Sequence, residues 1–159
     1  MIALNNILVA TDFSDTSHAA VDRARDLAAV FGARLHMFHV VTEPLHEVWA
    51  CYAPGADFLN SVGRLQERAR ARMLGEMTLS EMSNGRVTLT SSWGDPSDEI
   101  LKYAREHDID MIVCGTHGRR GWDHALMGSV AERVVRLGPC PVLTVLTVHP
   151  GHPAVAAAA

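Results

Sequence analysis

The fold is decided by the stretch Met111-Ile112-Val113-Cys114-Gly115-Thr116-His117-Gly118, which continues to Gly128-Ser129-Val130. Its first four residues are apolar and predict a short buried strand, and a helix is predicted to begin at Ser129. The glycines between them follow the spacing G-x-x-G-x9-G-S. Glycines let a backbone approach a ligand closely, and the N–H groups at a helix start attract anions. The stretch therefore predicts a phosphate-binding loop, with a long turn as the simpler alternative.

Further apolar segments alternate with helical patterns around this stretch. The predicted strands are 7–10, 34–41, 86–91, 110–114 and 141–145, and the predicted helices follow the first four of them. This alternation predicts an α/β fold with a parallel, doubly wound five-stranded sheet and helices on both faces. Ligands of such sheets bind at the carboxyl ends of the strands, where the winding reverses. We expect that reversal between strands one and four, which places Asp12 beside the glycine loop.

The predicted helix ends have recognisable capping signals. Ser14 with Asp15 begins the first helix and Gly32 ends it, while Asp95 followed by a proline begins the third. Ser129 is followed three residues later by Glu132, which fits a capping box. Capping explains both of these residues, so Ser129 is not predicted to be a nucleophile.

Length and composition bound the class of protein. The chain has 159 residues, 48% hydrophobic and 20% charged, which predicts one domain over 1–148 and a flexible tail over 149–159. A net charge of −4 gives no general attraction to nucleic acid or to an anionic membrane, so neither partner is expected. No secretory signal or membrane-length apolar run is apparent, and the 3 cysteines form no C-x-x-C pair. A cytoplasmic protein is expected.

Several chemistries are excluded by what the motifs lack. Lys102 is the only lysine and lies far from the loop, so a Walker A motif is absent. The turn after strand one has no glycine, which excludes a dinucleotide fingerprint. A response regulator would need, besides paired acids after strand one, an aspartate after strand three and a lysine after strand five, where this chain has Trp93 and Thr147 or Val148. The histidines show no metal-ligand spacing, so zinc is not predicted.

The remaining candidates have both functional and ordinary explanations. Asp12 fits a ribose hydroxyl acceptor or a Mg²⁺ contact, or else an acid near a helix start. Arg119 fits a phosphate ligand in place of a lysine, or a solvated loop residue. Arg64, Arg68 and Arg72 recur every four residues and are interpreted as a solvated stripe. Residues 43–57 show no period and are interpreted as an excursion between strand and helix.

Taken together, these motifs resemble the universal stress protein family. The resemblance spans nearly the whole predicted domain. It rests on Ile7-Leu8-Val9-Ala10-Thr11-Asp12-Phe13-Ser14, Gly32-Ala33-Arg34-Leu35, His39-Val40, Gly94-Asp95-Pro96, the complete glycine loop and Pro139-Cys140-Pro141-Val142-Leu143.

The resemblance implies an adenine nucleotide alpha hydrolase-like fold with strand order 3-2-1-4-5 and a homodimer formed through strand five. The complete loop resembles that of the ATP-binding branch of the family, and this resemblance implies bound ATP. Whether a Mg²⁺ ion accompanies the ATP at Asp12 is left open. Hydrolysis is implied to be weak or absent, and a protein partner is left unknown. A slow Mg²⁺-dependent ATPase and a dimeric module that binds no nucleotide remain the alternatives. The nucleotide-binding residues implied or proposed are Ala10, Asp12, Val40, Gly115, His117, Gly118, Arg119, Gly128, Ser129 and Val130.

Overall fold

The structure, a computed structural model, describes residues 3–42, 58–117 and 127–146. Five strands and five helices lie in these ranges. The strands are β1 (Asn6–Ala10), β2 (Arg34–Val41), β3 (Val87–Trp93), β4 (Met111–Gly115) and β5 (Val142–Val145). The helices are α1 (Asp15–Phe31), α2 (Phe58–Gly75), α3 (Leu79–Asn84), α4 (Pro96–Glu106) and α5 (Ser129–Leu137).

All five strands are parallel and form one sheet in the order β3-β2-β1-β4-β5. The expected order and the winding reversal beside β1 are therefore confirmed. Ala10, the last residue of β1, pairs with Phe38 of β2 and with Cys114 of β4. The carboxyl ends of these three strands consequently meet at one edge of the sheet.

Apolar side chains leave the central strand on both faces and form two core clusters. Ile7 and Val9 pack in the cluster that also holds residues of α1 and α2. Leu8 points the other way and packs with residues of α4 and α5. All three β1 side chains are fully buried, as expected of a central parallel strand. By contrast, every residue of β3 is at least partly exposed, which confirms its predicted position at an edge.

Most predicted helix ends are confirmed. The Ser14 side chain accepts from the Ser17 N–H at the start of α1, and Gly32 ends the helix in the left-handed region with φ 67°. Asp95 caps α4 by accepting from the Asp98 N–H at 3.0 Å. The short helix α3 was not predicted, although Thr78 and Glu81 form a complete capping box at its start.

The predicted capping box at Ser129 is wrong. Gly128 occupies the N-cap position, with φ −70° and ψ 154°, and no side chain caps the helix. The Glu132 N–H donates to the Gly128 carbonyl at 2.9 Å, so Ser129 already lies inside the first turn. Its hydroxyl therefore does not occupy the position from which a cap side chain reaches the first amides.

None of the helices in the described ranges is long and apolar enough to cross a membrane. Four predicted features lie outside the described residues, namely the excursion at 43–57, the loop residues Gly118 and Arg119, and the tail at 149–159.

Candidate functional site

The candidate site lies where the carboxyl ends of β1, β2 and β4 meet the start of α5. The register places Ala10 between Phe38 and Cys114, one residue before Thr11 leaves the sheet. The Thr11 N–H makes a further bond to the Phe38 carbonyl at 2.9 Å. The next residue is Asp12, which therefore stands at the sheet edge that the sequence predicted.

Asp12 is oriented by the residue two positions after it. Its Oδ1 atom accepts from the Ser14 N–H at 3.1 Å and from the Ser14 hydroxyl at 2.6 Å. The carboxyl group is half-buried. These two contacts fix the orientation of the carboxylate, which in its ionised form accepts hydrogen bonds at both oxygens.

A buried hydroxyl pair supports the turn around Asp12. The Ser17 hydroxyl donates to the Ser14 carbonyl at 2.9 Å, so the Thr11 hydroxyl must donate across the 3.1 Å that separates it from Ser17 Oγ. Thr11 Oγ1 in turn accepts from the Phe13 N–H at 3.1 Å. Because buried polar groups are costly unless paired, this network ties the end of β1 to the first turn of α1.

Phe13 has an unusual backbone conformation for a bulky residue. Its φ is 64°, in the left-handed region, and its side chain is 8% exposed. The ring lies 4.6 Å from the His39 ring, centroid to centroid, and the Arg72 guanidinium carbon lies 4.2 Å from its centroid. The spacing of Arg72 predicts a solvated stripe, but its charged end packs on an aromatic ring beside the candidate site.

The backbone of Val40 faces the site. In a parallel strand, alternate residues direct both N–H and C=O to the same neighbour. The Leu35 N–H donates to the Arg86 carbonyl on the β3 side, whereas the Phe38 carbonyl accepts from the Thr11 N–H on the β1 side. Val40 follows the pattern of Phe38, so its polar groups face the β1 side beyond the last bond to Thr11. This is the type of backbone edge that the predicted adenine contact requires.

The two described ends of the glycine loop are drawn together. The Gly128 N–H donates to the Thr116 carbonyl at 2.7 Å, which brings the start of α5 to the end of β4. A Cβ on Gly115 would lie 2.9 Å from Thr16 Cγ2 and 3.2 Å from the Thr16 backbone carbon and oxygen. Gly115 is therefore required for close packing against α1, whether or not a ligand binds.

The start of α5 presents backbone donors without a side-chain acceptor. The Ser129 side chain is exposed and that of Val130 is half-buried. The first amides of a helix have no acceptor within the helix and carry partial positive charge. Gly128 is the N-cap and has no side chain, so among the described residues no N-cap side chain accepts from these amides.

His117 is the last described residue before the gap in the loop, and its Nδ1 atom lies 3.1 Å from Thr116 Oγ1. The structure thus brings Ala10, Asp12, Val40, Gly115, His117, Gly128, Ser129 and Val130 to one edge of the sheet. Gly118 and Arg119 lie outside the described residues.

The described residues near the site offer little for covalent or metal chemistry. Burial raises the pKa of the Cys114 thiol to about 11, so it stays protonated near neutral pH and is a poor nucleophile. Lys102 lines a separate cleft between α4 and the β2–β3 part of the sheet. Across the described ranges, no three His, Cys, Asp or Glu side chains are grouped to hold a metal ion.

The same separate cleft contains a pair that the sequence analysis missed. His36 is buried, and its Nδ1 atom lies 2.9 Å from the Tyr103 hydroxyl oxygen. Burial, then the charges of His107 and Arg34, lower the pKa of His36 from 6.5 to about 4. The signal available in the sequence was His36 itself, a titratable residue between the apolar Leu35 and Met37 of a predicted strand.

Comparison with known proteins agrees with this architecture. The family model described as "Universal stress protein family" matches residues 3–145. Universal stress protein MJ0531 from Methanocaldococcus jannaschii is 31% identical over 150 residues, covering 87% of this chain and 80% of the relative.

Solved structures give the same result. The universal stress protein UspA from Lactobacillus plantarum is 28% identical with a TM-score of 0.75, covering 91% of this chain and 99% of the other. A universal stress protein solved in complex with cAMP is 26% identical with a TM-score of 0.61, covering 92% of this chain and all (100%) of the other. The family match extends over almost the whole chain, and the sheet order is the one implied by the resemblance, so this chain belongs to the universal stress protein family.

Proposed function

We propose that this protein binds ATP or a related adenine nucleotide and acts in a cytoplasmic stress response or in signalling. The observation that carries the proposal is the meeting, at one sheet edge, of three groups suited to the three parts of a nucleotide. They are the Asp12 carboxylate, the Val40 backbone edge and the uncapped start of α5.

Each group has a role that follows from its chemistry. Asp12 accepts from the ribose hydroxyls, and it is also the residue placed to contact a Mg²⁺ ion bound with the nucleotide. The backbone of Ala10 and Val40 borders the adenine. The amides of Ser129 and Val130 hold phosphate oxygens, as helix starts do.

The remaining loop residues complete this proposed site. Gly115 and Gly128 let the backbone close around the phosphates, and His117, Gly118 and Arg119 stay predicted contributors from the loop. The family member solved with cAMP supports the ligand class, because it is a relative whose complex holds an adenine nucleotide.

Binding is favoured over turnover by the groups described at the site. Backbone amides and one carboxylate hold a nucleotide, but the protonated Cys114 thiol supplies no nucleophile. A slow Mg²⁺-dependent ATPase is the alternative. A phosphate-releasing activity that co-purifies with the protein and is lost in Asp12→Ala would favour the ATPase.

We also propose that residues 1–148 form one such domain and that two copies pair through β5. Within the described residues β5 pairs only with β4, so its outer edge is available for another strand. Leu143 and Leu146 are 38% and 60% exposed beside that edge. Sedimentation should give a dimer for the wild type and a monomer for Leu146→Glu combined with Leu143→Glu. A dimeric protein that binds no nucleotide would instead be an interaction module.

The nucleotide proposal is tested by mass spectrometry of small molecules released from the purified protein, with calorimetric titration of ATP and Mg²⁺. Asp12→Asn keeps an oxygen for Ser14 but loses the charge, so affinity should fall by at least about tenfold. Asp15→Asn is the matched control, since Asp15 is an exposed acid in the first turn of α1. The absence of a co-purified nucleotide and of any heat with ATP would contradict the proposal.

A further inference from the structure

We propose that Arg72 of α2 is a positioning residue for the nucleotide site, acting through Phe13 on the orientation of Asp12. This inference rests on the proposed function for its effect on affinity. Its structural part concerns the free protein and can be tested without a ligand.

The first step is the dependence of Asp12 on the backbone of Phe13. Phe13 has a φ of 64°, which turns the chain so that Ser14 reaches back to Asp12. Both Ser14 bonds to Asp12 Oδ1, at 3.1 and 2.6 Å, span this one intervening residue. If Phe13 relaxed to a negative φ, the Ser14 amide would turn away and the carboxylate would lose its fixed orientation.

The second step is that this conformation needs support. An L residue with a Cβ is disfavoured in the left-handed region, and a bulky aromatic residue is rare there. The Phe13 N–H bond to Thr11 Oγ1 holds the backbone side of the turn. The ring is held by the His39 ring and the Arg72 guanidinium, while His39 Nδ1 is itself tied to the Thr11 carbonyl at 2.8 Å.

The third step is that Arg72 comes from a firmly seated part of α2. Ala69 and Met73, on either side of it along the helix, are buried in the same core cluster as Phe13. The base of the Arg72 side chain is therefore fixed, although its end is exposed. Arg68, one turn earlier on the same stripe, is also exposed and provides the matched control.

Arg72 has one other means of affecting affinity, which is direct attraction of a phosphate. The two mechanisms predict different ligand dependence. A positioning residue that acts through Asp12 affects the ribose contact, so in the absence of Mg²⁺ adenosine and ATP should lose affinity by the same factor. A direct charge contact would weaken ATP alone.

The affinity experiment uses calorimetry with ATP and with adenosine, both without Mg²⁺, on the full chain. Arg72→Gln should weaken both ligands by about two- to fivefold, the range of one partly solvated cation–π contact. Arg72→Lys should retain part of the effect, and Arg68→Gln should leave both affinities unchanged. In a Phe13→Leu background, Arg72→Gln should have no further effect. Loss confined to ATP, or equal loss in the Phe13→Leu background, would overturn the inference.

The free protein supplies an independent readout. Arg72→Gln should accelerate hydrogen exchange of the Ser14 amide and shift its resonance, and Arg68→Gln should do neither. If the wild type binds neither ATP nor adenosine, the proposed function fails, but this measurement still decides whether Arg72 positions the turn. An unchanged Ser14 amide in Arg72→Gln would refute the positioning role even if ATP binds.

Discussion

Acidification should destabilise this protein through His36, a residue remote from the nucleotide site. The side chain is 5% exposed, and in the described part of the chain its Nε2 atom has no hydrogen-bond partner. It lines a cavity of about 420 Å³ between α4 and the β2–β3 part of the sheet. The charged or titratable groups lining the same cavity are Arg34, Glu99, Lys102, Tyr103, Glu106 and His107.

The direction follows from proton binding by the two states. In the unfolded chain His36 takes up a proton as pH falls through about 6.5, whereas the folded protein resists protonation until about pH 4. The unfolded state thus binds more protons in this window, so stability falls as pH falls from about 6.5 to about 4.

The magnitude follows from the pKa difference. At about 1.4 kcal/mol per pKa unit, the fall from 6.5 to about 4 sets an upper limit of roughly 3 to 4 kcal/mol. Because solvent in the open cavity screens the ring, we expect about 2 kcal/mol of the free energy of unfolding.

The assay is urea denaturation at successive pH values for the wild type and for His36→Gln, which retains a polar partner for Tyr103 but does not titrate. Carboxylates also titrate in acid, but their contribution is common to both proteins and cancels in the difference. The stability advantage of the wild type should shrink by about 2 kcal/mol between pH 7 and pH 4. Parallel pH profiles would refute the reasoning, as would a wild-type His36 resonance that titrates near pH 6.5.

Three further substitutions test how the elements around the site are built. Gly115→Ala should lower stability by about 1–3 kcal/mol in thermal denaturation, because its Cβ would press on the side chain and backbone of Thr16, and an unchanged melting temperature would contradict this. Asp95→Ala should cost about 1 kcal/mol in urea denaturation by removing the acceptor of the Asp98 N–H, whereas Asp95→Asn should restore most of it. Ser129→Ala should change stability by less than about 0.5 kcal/mol, since it caps nothing, and a loss near 1 kcal/mol would restore the capping interpretation.

The sheet could be predicted because its signals are local and strong. A strand buried on both faces must be apolar throughout, as Ile7, Leu8 and Val9 are. Ser14 and Gly32 mark the ends of α1 because each meets a local need of the helix backbone. Ser14 accepts from a first-turn amide, and Gly32 adopts a left-handed φ. The short helix α3 has no buried side chain and therefore shows no core-facing pattern. Its only sequence signal is the capping box that begins at Thr78.

The contacts around Asp12 were harder to predict because they join distant parts of the chain. A phenylalanine gives no sign in sequence that its φ will be positive, since glycine or asparagine usually fills such positions. The partner of an arginine on an amphipathic helix depends on where that helix crosses the sheet, and the spacing of Arg72 does not reveal this. Its contact with Phe13 therefore emerged only from the structure.

The error at Ser129 strengthens the phosphate-binding interpretation of the glycine loop. A serine followed by Glu132 suggests that the first amides of the helix are satisfied within the chain, and a capping box would occupy donors that an anion needs. The bond from the Glu132 N–H to the Gly128 carbonyl, with the extended backbone of Gly128, instead makes a glycine the N-cap. Glycine has no side-chain acceptor, so within the described residues no N-cap side chain occupies the amides that follow. The proposed phosphate contact requires such amides, which an N-cap side chain would otherwise occupy.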